Sequence, residues 1–271
     1  MPPDMPQTHL GIANDDSRYL YFVGGQLGPQ CSPAVAGGFV LDAKKRKWTS
    51  LPPLPEARYS LSVQLWRGRL HVLSGSKPDR YTPACEHWSI AVENGKALED
   101  RWCEEVPLPR GGPHRASTAL NDRLYVLGGE EGDVAPIPGD PQYTCDWNTP
   151  AETSYGDSFV LDCGAEQWES VAPMLHARTH TEHSIVKIGH HAVVVGGLVD
   201  RYTYDDLIQV YDIETDRWRT VGRLPYAMKT IAVYHEGLLF AVTGQRSRSR
   251  QDPKPGKVLR SVWQAKFDPA Q

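Results

Sequence analysis

The chain has 271 residues, 40% of them hydrophobic, and a formal net charge of −4. This is enough apolar material for a sizeable core, and the mild acidity gives no reason to expect nucleic acid or an anionic membrane as partner. No run reaches the ~20 apolar residues of a membrane span. The opening Met1-Pro-Pro-Asp-Met-Pro6 lacks the basic flank and apolar stretch of a signal peptide, so the chain as given reads as soluble and cytoplasmic.

From the N-terminus, an apolar run ending in glycine recurs five times: residues 18–25, 69–75, 123–129, 191–197 and 238–244. The closing glycines Gly25, Gly75, Gly129, Gly197 and Gly244 stand 50, 54, 68 and 47 residues apart. Each run is short and continuously apolar, which predicts a buried strand. Glycine at its end permits positive φ and close backbone approach.

A third strand follows each run, predicted at residues 39–42, 87–92, 159–162, 208–212 and 262–267. A fourth begins at Trp48, Trp102, Trp168 or Trp218 and runs to a Leu-Pro or a proline. These indoles read as wedges between neighbouring sheets rather than ligand platforms. The first strand of the next repeat is expected at residues 61–65, 116–120, 181–188 and 230–234. Repeat three carries a proline-rich insertion between Gly129 and Phe159. The last repeat stops after its third strand, and residues 1–9 resemble the tail of a preceding one.

A period near fifty with glycine doublets and a later Trp implies an all-β propeller of about five four-stranded antiparallel blades, the last incomplete; either an N-terminal blade is missing or the chain closes as a five-bladed ring. The domain is expected at residues 10–271, with 1–9 a remnant. Open blade edges would favour self-association. The five cysteines show no Cys-x-x-Cys and irregular spacing, so reduced thiols are expected; Cys31 and Cys85 fall in equivalent loops and would pair in a secreted protein. The basic runs at 44–47 and 246–250 read as solvated surface.

The residues resemble the kelch-repeat proteins of the galactose oxidase/kelch superfamily, and more narrowly a group of plant kelch-repeat proteins of unassigned biochemistry. The resemblance is most specific at 28–31, 65–72, Glu86-His87-Trp88 to Val92, 109–116 and Gly244-Gln245-Arg246. It implies a further N-terminal blade and, often, an upstream membrane anchor; with an anchor, the location would be the secretory pathway or Golgi membrane. The copper site of galactose oxidase-type enzymes needs two tyrosines, two histidines and a cysteine cross-link. No matching arrangement occurs here, so no cofactor, metal or copper oxidase activity is expected.

In a four-stranded antiparallel blade, the loops after strands two and four open on one face, and that face is expected to bind. His9, Tyr59, His114, His180 and Lys229 would start the inner strands there. His180 and Glu182, two apart on an expected strand, would point the same way as acid and base, or as a structural pair. Arg58, Arg115 and Lys229 would hold negative charge, and Glu86, His87, Gln245 and Arg246 complete the candidate ligand set. His176, His180 and His183 cluster in sequence, but strand alternation separates His180 from His183.

Two functions fit. One is a non-enzymatic scaffold whose loop face binds a protein or a glycan. The other is a sugar or sugar-acid isomerase or mutarotase centred on His180 and Glu182.

Overall fold

The computed structural model describes residues 7–28, 31–149, 153–200, 203–246 and 257–269. Residues 1–6, 29–30, 247–250 and 251–256, which hold parts of the expected N-terminal remnant, one resemblance motif and a basic run, lie outside them. The described residues form strands and turns and contain no helix. By contacts the chain divides into two compact units: Met1–His114 with Glu131–Pro150 and Gly164–Trp168, and Arg115–Glu130 with Ala151–Cys163 and Glu169–Gln271.

The first unit opens with β1 (Gln7–Thr8), β2 (Gly11–Asn14), β3 (Tyr19–Val23), β4 (Gln26–Leu27), β5 (Gly38–Asp42) and β6 (Lys47–Leu51). β2-β3-β5-β6 form one antiparallel blade, and β1 pairs with β4. The second blade holds β7 (Ser62–Trp66), β8 (Arg69–Leu73), β9 (Trp88–Glu93), β10 (Lys96–Ala97) and β11 (Cys103–Glu104). Its order is β10-β9-β8-β7, with β11 also pairing β9, so the expected fourth strand from Trp102 is reduced to two residues.

The core of this unit joins Tyr21, Val40, Leu54, Leu61, Leu70, Trp88 and Trp102. Trp102 donates its indole N–H to the Pro52 carbonyl (3.0 Å), and Trp168 donates to Val106 (3.0 Å). Each indole thus buries its ring and satisfies its one donor, as a wedge must.

The second unit contains β12 (Ala116–Leu120), β13 (Arg123–Leu127), β14 (Ser158–Leu161) and β15 (Glu169–Val171), then β16 (Ile185–Ile188), β17 (His191–Val195), β18 (Leu207–Asp212) and β19 (Arg217–Arg223). Both are four-stranded blades in chain order. β20 (Met228–His235), β21 (Leu238–Arg246) and β22 (Lys257–Lys266) make a three-stranded sheet, the incomplete last blade. Trp218 repeats the wedge pattern by donating to Ala172 (2.8 Å).

Two expectations need correction. Cys31 pairs with Cys145 as a disulfide, and Cys85 is free. The partner comes from the insertion, whose fold has no periodicity to read. The first strand of the fourth blade starts at Ile185, not Thr181, because a turn closed by Ser184 N–H to the Thr181 carbonyl (3.1 Å) occupies 181–184.

Candidate functional site

In each repeat, the chain must turn from the Leu-Pro loop into the inner strand. Gly25 donates to the Arg58 carbonyl, Gly75 to Gly112, Gly129 to Arg178 and Gly197 to Met228. Two residues after the first three of these carbonyls stand Ser60, His114 and His180, with φ of 47°, 58° and 57°; His9 has 54°. A left-handed non-glycine residue costs about 1–2 kcal/mol, and such residues gather at functional sites. Tyr59 therefore sits one position earlier than His114 and His180, level with Thr179; both Tyr59 and Thr179 form reciprocal backbone bonds, with Ser76 and Leu198.

In the first unit, His9, Tyr59 and His114 do come together, with ring centroids 4.9 Å (His9–Tyr59) and 5.9 Å (Tyr59–His114) apart. They are covered by groups the sequence reading did not single out. Tyr59 donates to Asp133 Oδ2 (2.6 Å), Arg80 donates to the Tyr59 hydroxyl (2.9 Å), and its guanidinium lies 3.8 Å from the Tyr59 ring centroid. Arg80 also donates to Gln26 Oε1 and to the Val134 carbonyl. His114 Nε2 is 3.5 Å from Asp133. Tyr59 and His114 are each only 1% exposed. Burial, then the Asp133 carboxylate, holds the Tyr59 phenol well above its usual range, so it is a fixed donor rather than a proton carrier near neutral pH.

The candidate arginines are also buried, and a common rule explains them. An acidic residue just ahead of the third strand pairs with the arginine near the start of the same blade. Arg58 bonds Glu86 (3.2 Å) and Glu56 (3.3 Å), Arg115 bonds Asp157 (2.8 Å), and Arg178 pairs with Asp205. Arg58 lies 4.4 Å from the Trp88 ring, and Arg115 lies 5.4 Å from that of Phe159. A buried guanidinium needs such partners. The acidic residues were visible in the sequence as a repeated position. Glu86 remains half-open and also takes Lys77 (2.8 Å); partial burial raises its pKa, but the Lys77 bond and Arg58 outweigh this and lower it.

His87 faces the core. Its Nδ1 bonds the Val106 carbonyl (3.1 Å) and its Nε2 bonds His71 Nδ1 (2.9 Å), so it is packed between blade strands and Trp168. Burial lowers His71 to about 3, helped by the His87 and Arg69 charges, and lowers His87 to about 4.

In the second unit, His180 is not on a strand with Glu182; both lie in the turn segment ahead of β16. His180 Nδ1 is 4.0 Å from Glu130 Oε2 and 3.2 Å from Thr179 Oγ1. Lys229 pairs in register with Gln245 on β20 and β21. Gln245 accepts from the Tyr204 hydroxyl (3.1 Å), and Arg246 lies over Tyr226. Gln245 and Arg246 thus end a strand rather than form a loop.

Comparison with known proteins accords with this geometry. A Kelch motif model matches residues 180–225. A kelch repeat-containing protein of Arabidopsis thaliana is 42% identical over 98% of this chain and 63% of its own length. This is a kelch-repeat chain. Kelch-like protein 36 of Bos taurus is 24% identical over 94% of this chain and 53% of its own length. The kelch chain thus spans less than two thirds of each of these relatives. The solved structure of YjhT matches with a TM-score of 0.67 at 15% identity, covering 90% of this chain and 74% of that one, a likeness of fold. The fold class is a kelch-type β-propeller with five antiparallel blades, and no helix among the described residues is long and apolar enough to cross a membrane.

Proposed function

We propose that this kelch chain is a non-enzymatic scaffold that binds a protein through the loops of its first unit. The observation that carries the reading is a group of exposed large side chains there: Trp147 (62%), Ile137, Tyr143, Tyr81 and Leu27. Tyr143 lies against Cys31, to whose N–H its carbonyl accepts a bond (3.0 Å), and the Cys31–Cys145 bridge holds this stretch to the loop after β4. Exposed aromatics on a braced loop are the anchors protein interfaces use. Arg58, Arg80 and the Tyr59 group brace the platform from within. Glu86 and Lys77 supply polar rim. The bridge supports an oxidising compartment as the place of work.

The test is affinity capture under non-reducing conditions, followed by binding of the recovered protein in purified form. Trp147→Ala with Tyr143→Ala should weaken that binding at least about tenfold, as loss of an anchor does. Binding untouched by the double substitution, or occupancy by a glycan alone on a glycan array, would overturn the reading. Catalysed anomer exchange of a sugar acid, abolished in His180→Ala, would establish the isomerase or mutarotase alternative instead.

A further inference from the structure

We propose that His190, His191 and Asp212 form a divalent transition-metal site, of the zinc class, at the turn end of β17 and β18. The repeat itself points to it. At this corner of the first blade, Arg18 donates Nε to Asp42 (2.8 Å), and in the third blade Arg123 donates Nη2 to Asp162 (2.9 Å). Asp42 and Asp212 are the last residues of a third strand, and Asp162 follows one directly. The corner backbone is shared: Ala43 N–H bonds the Arg18 carbonyl (3.0 Å), and Ile213 N–H bonds the His190 carbonyl (3.2 Å). In the fourth blade His190 takes the place of Arg18, and His191 takes that of Arg123. The aspartate keeps its position and loses its guanidinium, and two imidazoles take over. A bound dication restores the positive charge at that corner.

The donors converge. One ligand atom from each of His190, His191 and Asp212 lies within 4.8 Å of the others. The two imidazole centroids are 4.0 Å apart, and His190 Nε2 is 3.9 Å from Asp212 Oδ1. Strand register sets His191 directly opposite Asp212. The Asp212 carboxylate is oriented by the Glu214 N–H (2.9 Å). Water would complete the coordination. Arg219 is the nearby cation that acts against positive charge at His191, and the closer Asp212 carboxylate acts for it. Two imidazoles with carboxylate suit zinc over calcium or magnesium, which take oxygen ligands. His191 is buried and His190 half-buried, so the site is framed and reachable.

The experiment titrates tag-free, chelator-treated chain with Zn2+ by calorimetry, and with Co2+ for the visible spectrum of a tetrahedral site. One equivalent is expected, with affinity falling about tenfold or more in His191→Ala and in His190→Arg. His190→Arg rebuilds the arginine–aspartate pair of the first blade, so it should keep the fold and its thermal midpoint while losing the metal. His235→Ala, at a different turn, should bind as the parent does. Absence of a stoichiometric Zn2+ site, or Zn2+ binding that survives His190→Arg in folded protein, would overturn the proposal.

Discussion

Lowering the pH from 7 to 5 should cost this protein about 4 kcal/mol of stability through two histidines alone. His71 and His87 are buried against each other, with pKa values of about 3 and about 4 against an ordinary 6.5. Well above 6.5 both states hold neutral rings and the pair has no pH dependence. As pH falls below 6.5 the unfolded chain takes up two protons that the folded pair refuses, so stability declines until the folded pKa values are reached. At pH 5 each unfolded imidazole gains about 2 kcal/mol from protonation, against about 0.2 kcal/mol at pH 7. The folded rings gain almost nothing over this range. Carboxylates such as Asp42, held down to about 2 by Arg18, titrate lower, whereas His191, lowered by burial, adds to the slope in this window. Urea titrations followed by tryptophan fluorescence at pH 7, 6 and 5 measure the slope. The double variant His71→Gln/His87→Gln should flatten it, whatever its stability at pH 7. A parent slope below about 1 kcal/mol over that range, or an unchanged slope in the double variant, would refute the reasoning.

Trp102→Ala should cost about 3–5 kcal/mol, since it empties a wedge and leaves the Pro52 carbonyl without its donor; a shift in urea midpoint reports it. Cys31→Ser should cost about 2–5 kcal/mol by releasing a bridge that spans 114 residues, and dithiothreitol should bring the parent to the same urea midpoint. Glu236 holds φ of 48° in the exposed turn before β21, so Glu236→Asn should raise stability by about 0.5–1 kcal/mol in thermal melts; a loss would argue against the left-handed assignment.

The Gly-ending strands were legible because burial on both faces leaves a continuous apolar run, and the wedge tryptophans because a large ring with one donor has few places to go. Where side chains point at the loop ends was less legible. Tyr59 looks level with His114 and His180 in sequence, yet the residue that turns left-handed is Ser60, because backbone bonds to the glycines, not residue type, set the count. His87 reads as a loop ligand beside Glu86, but it points inward at the entry to β9 and meets His71. Arg58 and Arg115 read as clamps for a ligand because their partners, Glu86 and Asp157, lie 28 and 42 residues away. Cys145 and Asp133 sit in an insertion without periodicity, so nothing local announces what they touch.

The first unit is completed by chain that is made late. Its first two blades are finished at His114, yet Asp133, Cys145 and Trp168 belong to it as well. During synthesis Arg80, Tyr59 and Cys31 emerge long before the groups that neutralise, accept from and cross-link them. The Arg80–Tyr59 group and the Cys31 bridge can therefore close only after part of the second half has left the ribosome. Repeat boundaries are consequently poor places to cut this chain. A fragment ending at His114 would keep both blades and still expose a buried arginine to the loss of its carboxylate, whereas one ending after Trp168 carries every residue the first unit uses.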